Sequence, residues 1–278
     1  MVYQFSLPPL LLHALHTGYA GHLTSWAQQL PDLPPENTFF NFTASHDGIG
    51  VRPLEGLLQK EEIDQLCENM KTFGGRISSK TNADGTTSPY ELNISLFDAF
   101  KGTAEGKDDW QEQRFLCSQT IMLAMRGVPA FYIHSLLATP NDEEGVRRTA
   151  AYRSINRHKW NAEELYQLLD RDTVHARVFN ELRRLIRIRQ NQSLFHPDVG
   201  QEIFSCTPDC FIICRYDSRP TRLCSVSNVT SRPVTLDLSA HLQCGQHPCV
   251  DLISGRTLQK AVLHLSPYQT LWLKYLQS

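Results

Sequence analysis

The stretch TFFNFTA, residues 38–44, is apolar on both faces of any strand it forms, and no other segment restricts the fold as much. A strand with one apolar face suits an antiparallel sheet with a wet side. A strand apolar on both faces has to be covered twice, as in a parallel sheet flanked by helices. Its neighbours agree. Residues 2–12 (VYQFSLPPLLL) begin as a short strand and end in a proline turn, and residues 13–30 follow as a helix with Trp26 on one face. LEGLLQKEEIDQLCENMKTFG and WQEQRFLCSQTIMLAMRG have helical periodicity and stop at Gly74 and Gly127. VPAFYIHS then reads as a third short strand. The polar segment RISSKTNADGTTSPYELN, residues 76–93, reads as a long loop of the kind that is usually functional or disordered.

That alternation predicts parallel α/β structure. From about residue 198 the texture changes to short alternating runs (EIFSCT, CFIICRY, LCSVSNV, PVTLDL, CVDLI, AVLHL) separated by turn residues, which predicts an antiparallel β domain, most simply a sandwich. The expected organisation is an α/β unit over 1–195 followed by a β domain over 196–278. Three parallel strands fall short of the usual sheet of about four to six, and their edges would leave apolar faces uncovered. The α/β unit therefore reads as a portion of something larger.

Composition narrows the role. Hydrophobic residues make up 41 % and charged residues 20 %, as in a globular protein. With 27 basic against 29 acidic side chains, a net charge of −2 gives no footprint for nucleic acid. Prolines and histidines interrupt the apolar amino terminus and no basic segment precedes it, so neither a signal peptide nor a membrane span fits, and a cytoplasmic setting is expected. The eight cysteines (67, 117, 206, 210, 214, 224, 244 and 249) do not form two clean knuckles of zinc-site spacing, even with His241 and His247 beside Cys244 and Cys249. Reduced cysteines on the core faces of strands are the expectation, with no metal and no cofactor.

The strand TFFNFTA delivers Ser45-His46-Asp47-Gly48 to its carboxyl end, where functional side chains of parallel α/β proteins collect. An Asp-capped helix start is the plainer reading of the pair, but Gly48 and Gly50 allow close backbone approach to a ligand. Downstream, Arg147, Arg148, Arg153, Arg157, His158 and Lys159 fall within 13 positions, either a solvated basic face or an anion site built from guanidinium forks.

FFNFTASHDGIGVRPLEGLL closely resembles the fourth conserved region of the α-amylase-type glycoside hydrolase clan, in its sucrose phosphorylase and glucosylglycerate phosphorylase branch. SPYELNISLFDAF, IMLAMRGVPAFYIHSLLATPND and RSINRHKW resemble later segments of that branch in the same order. The resemblance implies the part of a (β/α)8 barrel from about its sixth strand to its eighth, followed by a carboxyl-terminal β domain. It implies a retaining α-glucoside phosphorylase, in which an aspartate nucleophile forms a glucosyl-enzyme, a glutamic acid protonates the leaving oxygen, and inorganic phosphate as co-substrate releases α-glucose 1-phosphate. Asp47 matches the third carboxylate, which stabilises the transition state, and His46 the histidine that contacts the sugar. Tyr90 and Asn93 match the acceptor-side loop. Arg153 or Arg157 matches an arginine near that subsite, and spacing alone leaves the choice open. No segment resembles the nucleophile or general-acid motif, and Glu55, Asp84, Glu91, Asp98 and Asp142 stand in no matching context. The expectation is a truncated or split phosphorylase, inactive by itself. The alternatives are a non-catalytic carbohydrate-binding remnant and one chain of a two-chain enzyme whose partner supplies the missing barrel half.

Overall fold

The computed structural model describes residues 1–239, 249–259 and 262–276. The chain opens with strand β1 (Val2–Tyr3), helices α1 (Leu7–Thr17) and α2 (Gly21–Gln28), and strands β2 (Phe39–Phe42) and β3 (Ile49–Gly50). Helix α3 (Lys60–Thr72), strands β4 (Arg76–Thr81) and β5 (Thr87–Asn93), helix α4 (Leu96–Ala99) and the two-residue strands β6 (Gly102–Thr103) and β7 (Gly106–Lys107) follow. Then come α5 (Gln111–Ala124), β8 (Val128–Ala130), α6 (Ile133–Leu136), α7 (Glu143–Thr149), α8 (Ala162–Leu169) and α9 (Val174–Gln190). The remainder is β: β9 (Gly200–Phe204), β10 (Cys210–Tyr216), β11 (Thr221–Asn228), β12 (Val234–Asp237), β13 (Cys249–Asp251), β14 (Thr257–Leu258), β15 (Val262–Leu265) and β16 (Thr270–Leu276).

β1, β2 and β8 form a parallel sheet in the order β1-β2-β8, with Val2 opposite Phe39 and Phe40 opposite Val128. Three local expectations need correction. Residues 8–12 are not a proline turn: Pro8 and Pro9 lie in the first turn of α1, where the amide hydrogens they lack would have no helical partner. Gly18, at φ +68°, then ends α1, so the expected single helix is two. Residues 76–93 are not a loop either. They form a β4–β5 hairpin that also pairs with β3, its polar composition reflecting Ser and Thr on exposed strand faces around a turn at Asn82–Gly85.

The carboxyl-terminal strands build a six-stranded antiparallel sheet in the order β14-β13-β16-β11-β10-β9, with the β12–β15 pair as a second layer. Period-two alternation splits its side chains between two cores. Cys210, Ile212, Cys214, Val226 and Leu273 face Val234, Leu236 and Leu263 of the second layer. Phe211, Ile213, Leu223 and Trp272 join the cluster that also holds Leu10, Leu15, Phe115 and Ile121 of α1 and α5. One apolar core therefore crosses the expected boundary at 195/196. Two fully buried arginines reinforce the crossing. Arg114 donates to Phe100 O at 2.7 Å and to the Tyr268 hydroxyl at 3.1 Å, and Arg215 donates to the carbonyls of Ala124, His196, Val199 and Gly200.

Cys214 and Cys224 sit opposite each other on β10 and β11 and are joined as a disulfide, which corrects the expectation of wholly reduced cysteines. Direct cross-strand pairing brings the two side chains within bonding reach, a relation that spacing along the chain does not reveal. Cys67, Cys117, Cys206 and Cys210 are free thiols, and burial pushes Cys67 up to about 11 and Cys117 and Cys210 up to about 12, so these three are not nucleophiles. Cys244, His241 and His247 lie outside the described residues.

Tyr3 and Phe5, both more than half exposed, stack on each other and pack against Phe40 and Phe42 on one face of the parallel sheet. An apolar face beside unpaired strand edges associates. The chain is expected to self-associate in solution, and replacing Tyr3 and Phe5 by serine should shift it toward monomer in size-exclusion chromatography with light scattering.

His16 is buried, its Nε2–H donating to Ala99 O at 2.8 Å, and burial pushes its pKa down from 6.5 to about 4. The unfolded chain takes up this proton first, so the stability is present above pH 6.5 and is lost as pH falls toward 4. A drop of about 3 kcal/mol across that window is expected from urea titrations, and His16→Asn should flatten it.

Candidate functional site

The site grows from the carboxyl end of β2. Thr43 leaves the sheet bonded to Gln119 in the core, and the Ser45 hydroxyl accepts the Asp47 N–H at 3.1 Å, turning the chain sharply. Gly48 then adopts φ +91°, and a Cβ there would meet Leu92 O at 2.6 Å, so only glycine allows this close approach. β3 next pairs with β5, Ile49 opposite Leu92 and Gly50 opposite Glu91. The loop carrying Asp47 is thereby fastened to the hairpin carrying Glu91.

A third segment closes the group. The 3-10 turn Tyr152–Asn156 presents Arg153, and Arg157 follows at its end. The turn is held by the Tyr132 hydroxyl, which donates to Asn156 O at 2.6 Å, and by the Asp142 N–H, which donates to Ile155 O at 3.0 Å. Arg153 forks over Glu91 with two contacts of 3.0 Å and reaches Asp47 Oδ1 at 3.1 Å. Arg157 touches the same Oδ1 at 3.1 Å and donates to His46 O at 2.9 Å. His46 Nε2 lies 3.3 Å from Oδ1 as well. The three approaches to Asp47 meet at Oδ1, and among the described residues no hydrogen bond is made to Oδ2.

The Glu91 side chain is 7 % exposed against 41 % for Asp47, so the arginine shared between them links a buried anion to one that faces solvent. The hydrogen bond to Glu91 holds the Arg153 guanidinium above its ordinary pKa. Asp47, Glu91 and Arg153 line a cavity of about 470 Å³ together with Phe5, Phe42 and Tyr90. An oxygen acceptor beside guanidinium groups and aromatic rings suits a small polyhydroxylated or anionic ligand. Within the described residues, no helix is long and apolar enough to cross a membrane.

Glucosylglycerate phosphorylase of Escherichia coli K12 is 39 % identical over 276 residues, spanning 99 % of this chain and 48 % of its own length. Its counterpart in Allomeiothermus silvanus is 38 % identical over 276 residues, 98 % of this chain and 47 % of its own. Sucrose phosphorylase of Bifidobacterium adolescentis is 33 % identical over 186 residues, 63 % of this chain and 34 % of that one. The chain is homologous to the glucosylglycerate and sucrose phosphorylases. It spans about half the length of the curated relatives it matches. No family model matches it.

Two solved structures share the fold of this phosphorylase relative. Sucrose 6F-phosphate phosphorylase from Thermoanaerobacter thermosaccharolyticum superposes with a TM-score of 0.67 at 24 % identity, covering 82 % of this chain and 42 % of that one. AmyP in complex with maltose gives 0.58 at 13 % identity, over 99 % of this chain and 50 % of that one.

Among the residues singled out from sequence, His46, Asp47, Arg153 and Arg157 converge, and Tyr90 lines the same cavity. Asn93 lies apart: it is fully buried, its amide donating to Ser78 Oγ at 2.9 Å and to Glu91 O, so it braces the hairpin beneath Glu91. Of the five other carboxylates considered, only Glu91 joins the cluster. Asp98 is buried against the Asn141 N–H and Lys101, Asp142 caps α7, Asp84 closes the hairpin turn and Glu55 pairs loosely with Arg52.

Removing Arg153 strands Glu91 in a buried position. Arg153→Met is expected to cost about 1–3 kcal/mol in urea denaturation, and the loss should shrink in a Glu91→Gln background, where no buried charge is left unpaired.

Proposed function

We propose that the chain is the sugar- and phosphate-binding portion of a retaining α-glucoside phosphorylase, its α/β unit being the part of a (β/α)8 barrel from about the sixth strand and its β region the domain that follows. The observation that carries this is Asp47, held through Oδ1 by two guanidinium groups beside an aromatic-lined cavity, with Oδ2 accepting no hydrogen bond among the described residues. In that position Oδ2 accepts hydrogen bonds from sugar hydroxyls, and the carboxylate opposes the positive charge that develops on the ring in an oxocarbenium-like transition state. His46, two-thirds exposed next to it, donates to the same sugar. Arg153 and Arg157 serve the anionic side of the reaction, meeting phosphate oxygens as they meet Asp47. Tyr90 supplies a ring face at the acceptor end.

Glucosylglycerate is the preferred glucoside in this reading, because relatives bearing that activity match nearly the whole chain and because the carboxylate of a glycerate acceptor suits the same arginines. The nucleophile and the general acid lie outside these 278 residues. Glu91 takes neither role, since Arg153 occupies both of its oxygens and little of it reaches solvent. A retaining pair needs two carboxyl groups about 5 Å apart across the scissile bond, and those strands would close the sheet beside β1, where Tyr3 and Phe5 stand uncovered. A binding module without turnover is the second reading, favoured by the same incomplete carboxylate set.

Phosphate-dependent release of α-glucose 1-phosphate from glucosylglycerate and from sucrose separates the two. The chain alone should be silent, and activity should appear on mixing with the amino-terminal half of the E. coli relative. Asp47→Asn should lower the reconstituted rate at least about 100-fold. Turnover by the chain alone would overturn the incomplete-site reading. Silence after mixing, with glucosylglycerate binding still seen by calorimetry, would leave the binding module.

A further inference from the structure

Helices α1, α2 and α3 bring His13, His22 and Glu62 together. His13 lies on α1, His22 in the first turn of α2 and Glu62 in the first turn of α3, and one ligand atom from each lies within 4.8 Å of the other two. We propose that these residues bind a Zn2+ ion that ties α1, α2 and α3 together, with a water molecule at the fourth position.

Three observations carry it. His13 is 3 % exposed, and neither of its ring nitrogens has a hydrogen-bond partner. Its Nε2 comes within 3.3 Å of Glu62 Oε1 but without hydrogen-bond geometry. A buried imidazole in that condition has given up its hydrogen bonds to water without replacement, and a metal bond would supply one.

The distances fit next. Tetrahedral zinc with bonds of about 2.0–2.1 Å separates its ligand atoms by about 3.3 Å. The approaches to Glu62 Oε1 are 3.3 Å from His13 and 3.1 Å from His22. Two nitrogens on one oxygen thus already outline two edges of the polyhedron.

The support around the ligands is the third. Glu62 Oε2 accepts the Gln59 N–H at 2.9 Å, which fixes the carboxylate while Oε1 faces the histidines. The His22 ring packs edge-on against both His13 and Tyr19. Such outer contacts orient metal ligands. A cavity of about 250 Å³, lined by His13, His16, Glu61, Glu62 and Ala104 among others, opens beside the cluster and has room for the water. Two imidazoles and one carboxylate select zinc over the hard cations that prefer oxygen alone.

The competing account is a plain hydrogen bond from His22 to Glu62, 3.1 Å long, with His13 buried beside it. Titration of the chelator-treated 278-residue chain with zinc chloride decides. One equivalent of Zn2+ should bind, raising the unfolding temperature, and cobalt(II) should give the intense visible bands of a tetrahedral centre. His22→Ala and Glu62→Gln, both at partly exposed positions, should each weaken binding at least tenfold. A His241→Ala, His247→Ala double variant should bind as before. Absence of binding up to millimolar zinc would overturn the proposal. So would unweakened binding in His22→Ala and Glu62→Gln, or loss of the ion in the His241, His247 variant.

Discussion

The guanidinium of Arg153 is the interaction on which the candidate site depends. It joins three segments, the turn after β2, the hairpin β4–β5 and the 3-10 turn beyond α7, and adds a charged link to the strand pairing and turn hydrogen bonds that already fasten them. Glu91 supplies the fixed end, since it is buried and bonded through both oxygens, and Asp47 is the end that faces the cavity. Charge geometry of this kind has a directional character that apolar packing lacks, because a planar fork accepts its partners only in one plane. Asp47 is therefore positioned through Arg153 and the Glu91 behind it, and not by its own loop alone.

Backbone sterics complete the placement. Gly48 lets the loop lie against Leu92 O, and the β3–β5 pairing follows at once. A side chain at residue 48 would lift the loop off the hairpin and draw Asp47 away from Arg153. The site is thus set by one glycine and one arginine, 105 residues apart in number and adjacent in space.

Much of this was legible in the sequence, in specific places. The doubly apolar strand FFNF does sit at the centre of a parallel sheet, and the alternation of CFIICRY does place Cys210, Ile212 and Cys214 on one face. His46, Asp47, Arg153 and Arg157 could be singled out because each occupies a strand end or a run of like charge. What escaped was long-range or compositional. The hairpin at 76–93 reads as a loop because its strands are polar and packed on one side only, while the prolines of α1 look like a break although a helix tolerates them in its first turn. The Cys214–Cys224 pair depends on strand register, and the approach of His13, His22 and Glu62 depends on how three helices pack. Neither leaves a short motif to find.

The six-stranded sheet has one face in each of two cores, and that has an evolutionary consequence. Phe211, Ile213 and Trp272 are as much a part of the helical core as Leu15 or Phe115, while buried Arg114 and Arg215 carry hydrogen bonds across the junction in opposite directions. The β region is accordingly not a cassette that recombination could exchange among relatives at will. A transplanted copy would arrive with its inner face shaped for helices it had left behind, so substitutions on the two sides of residue 195 are expected to have been inherited together, as compensating sets.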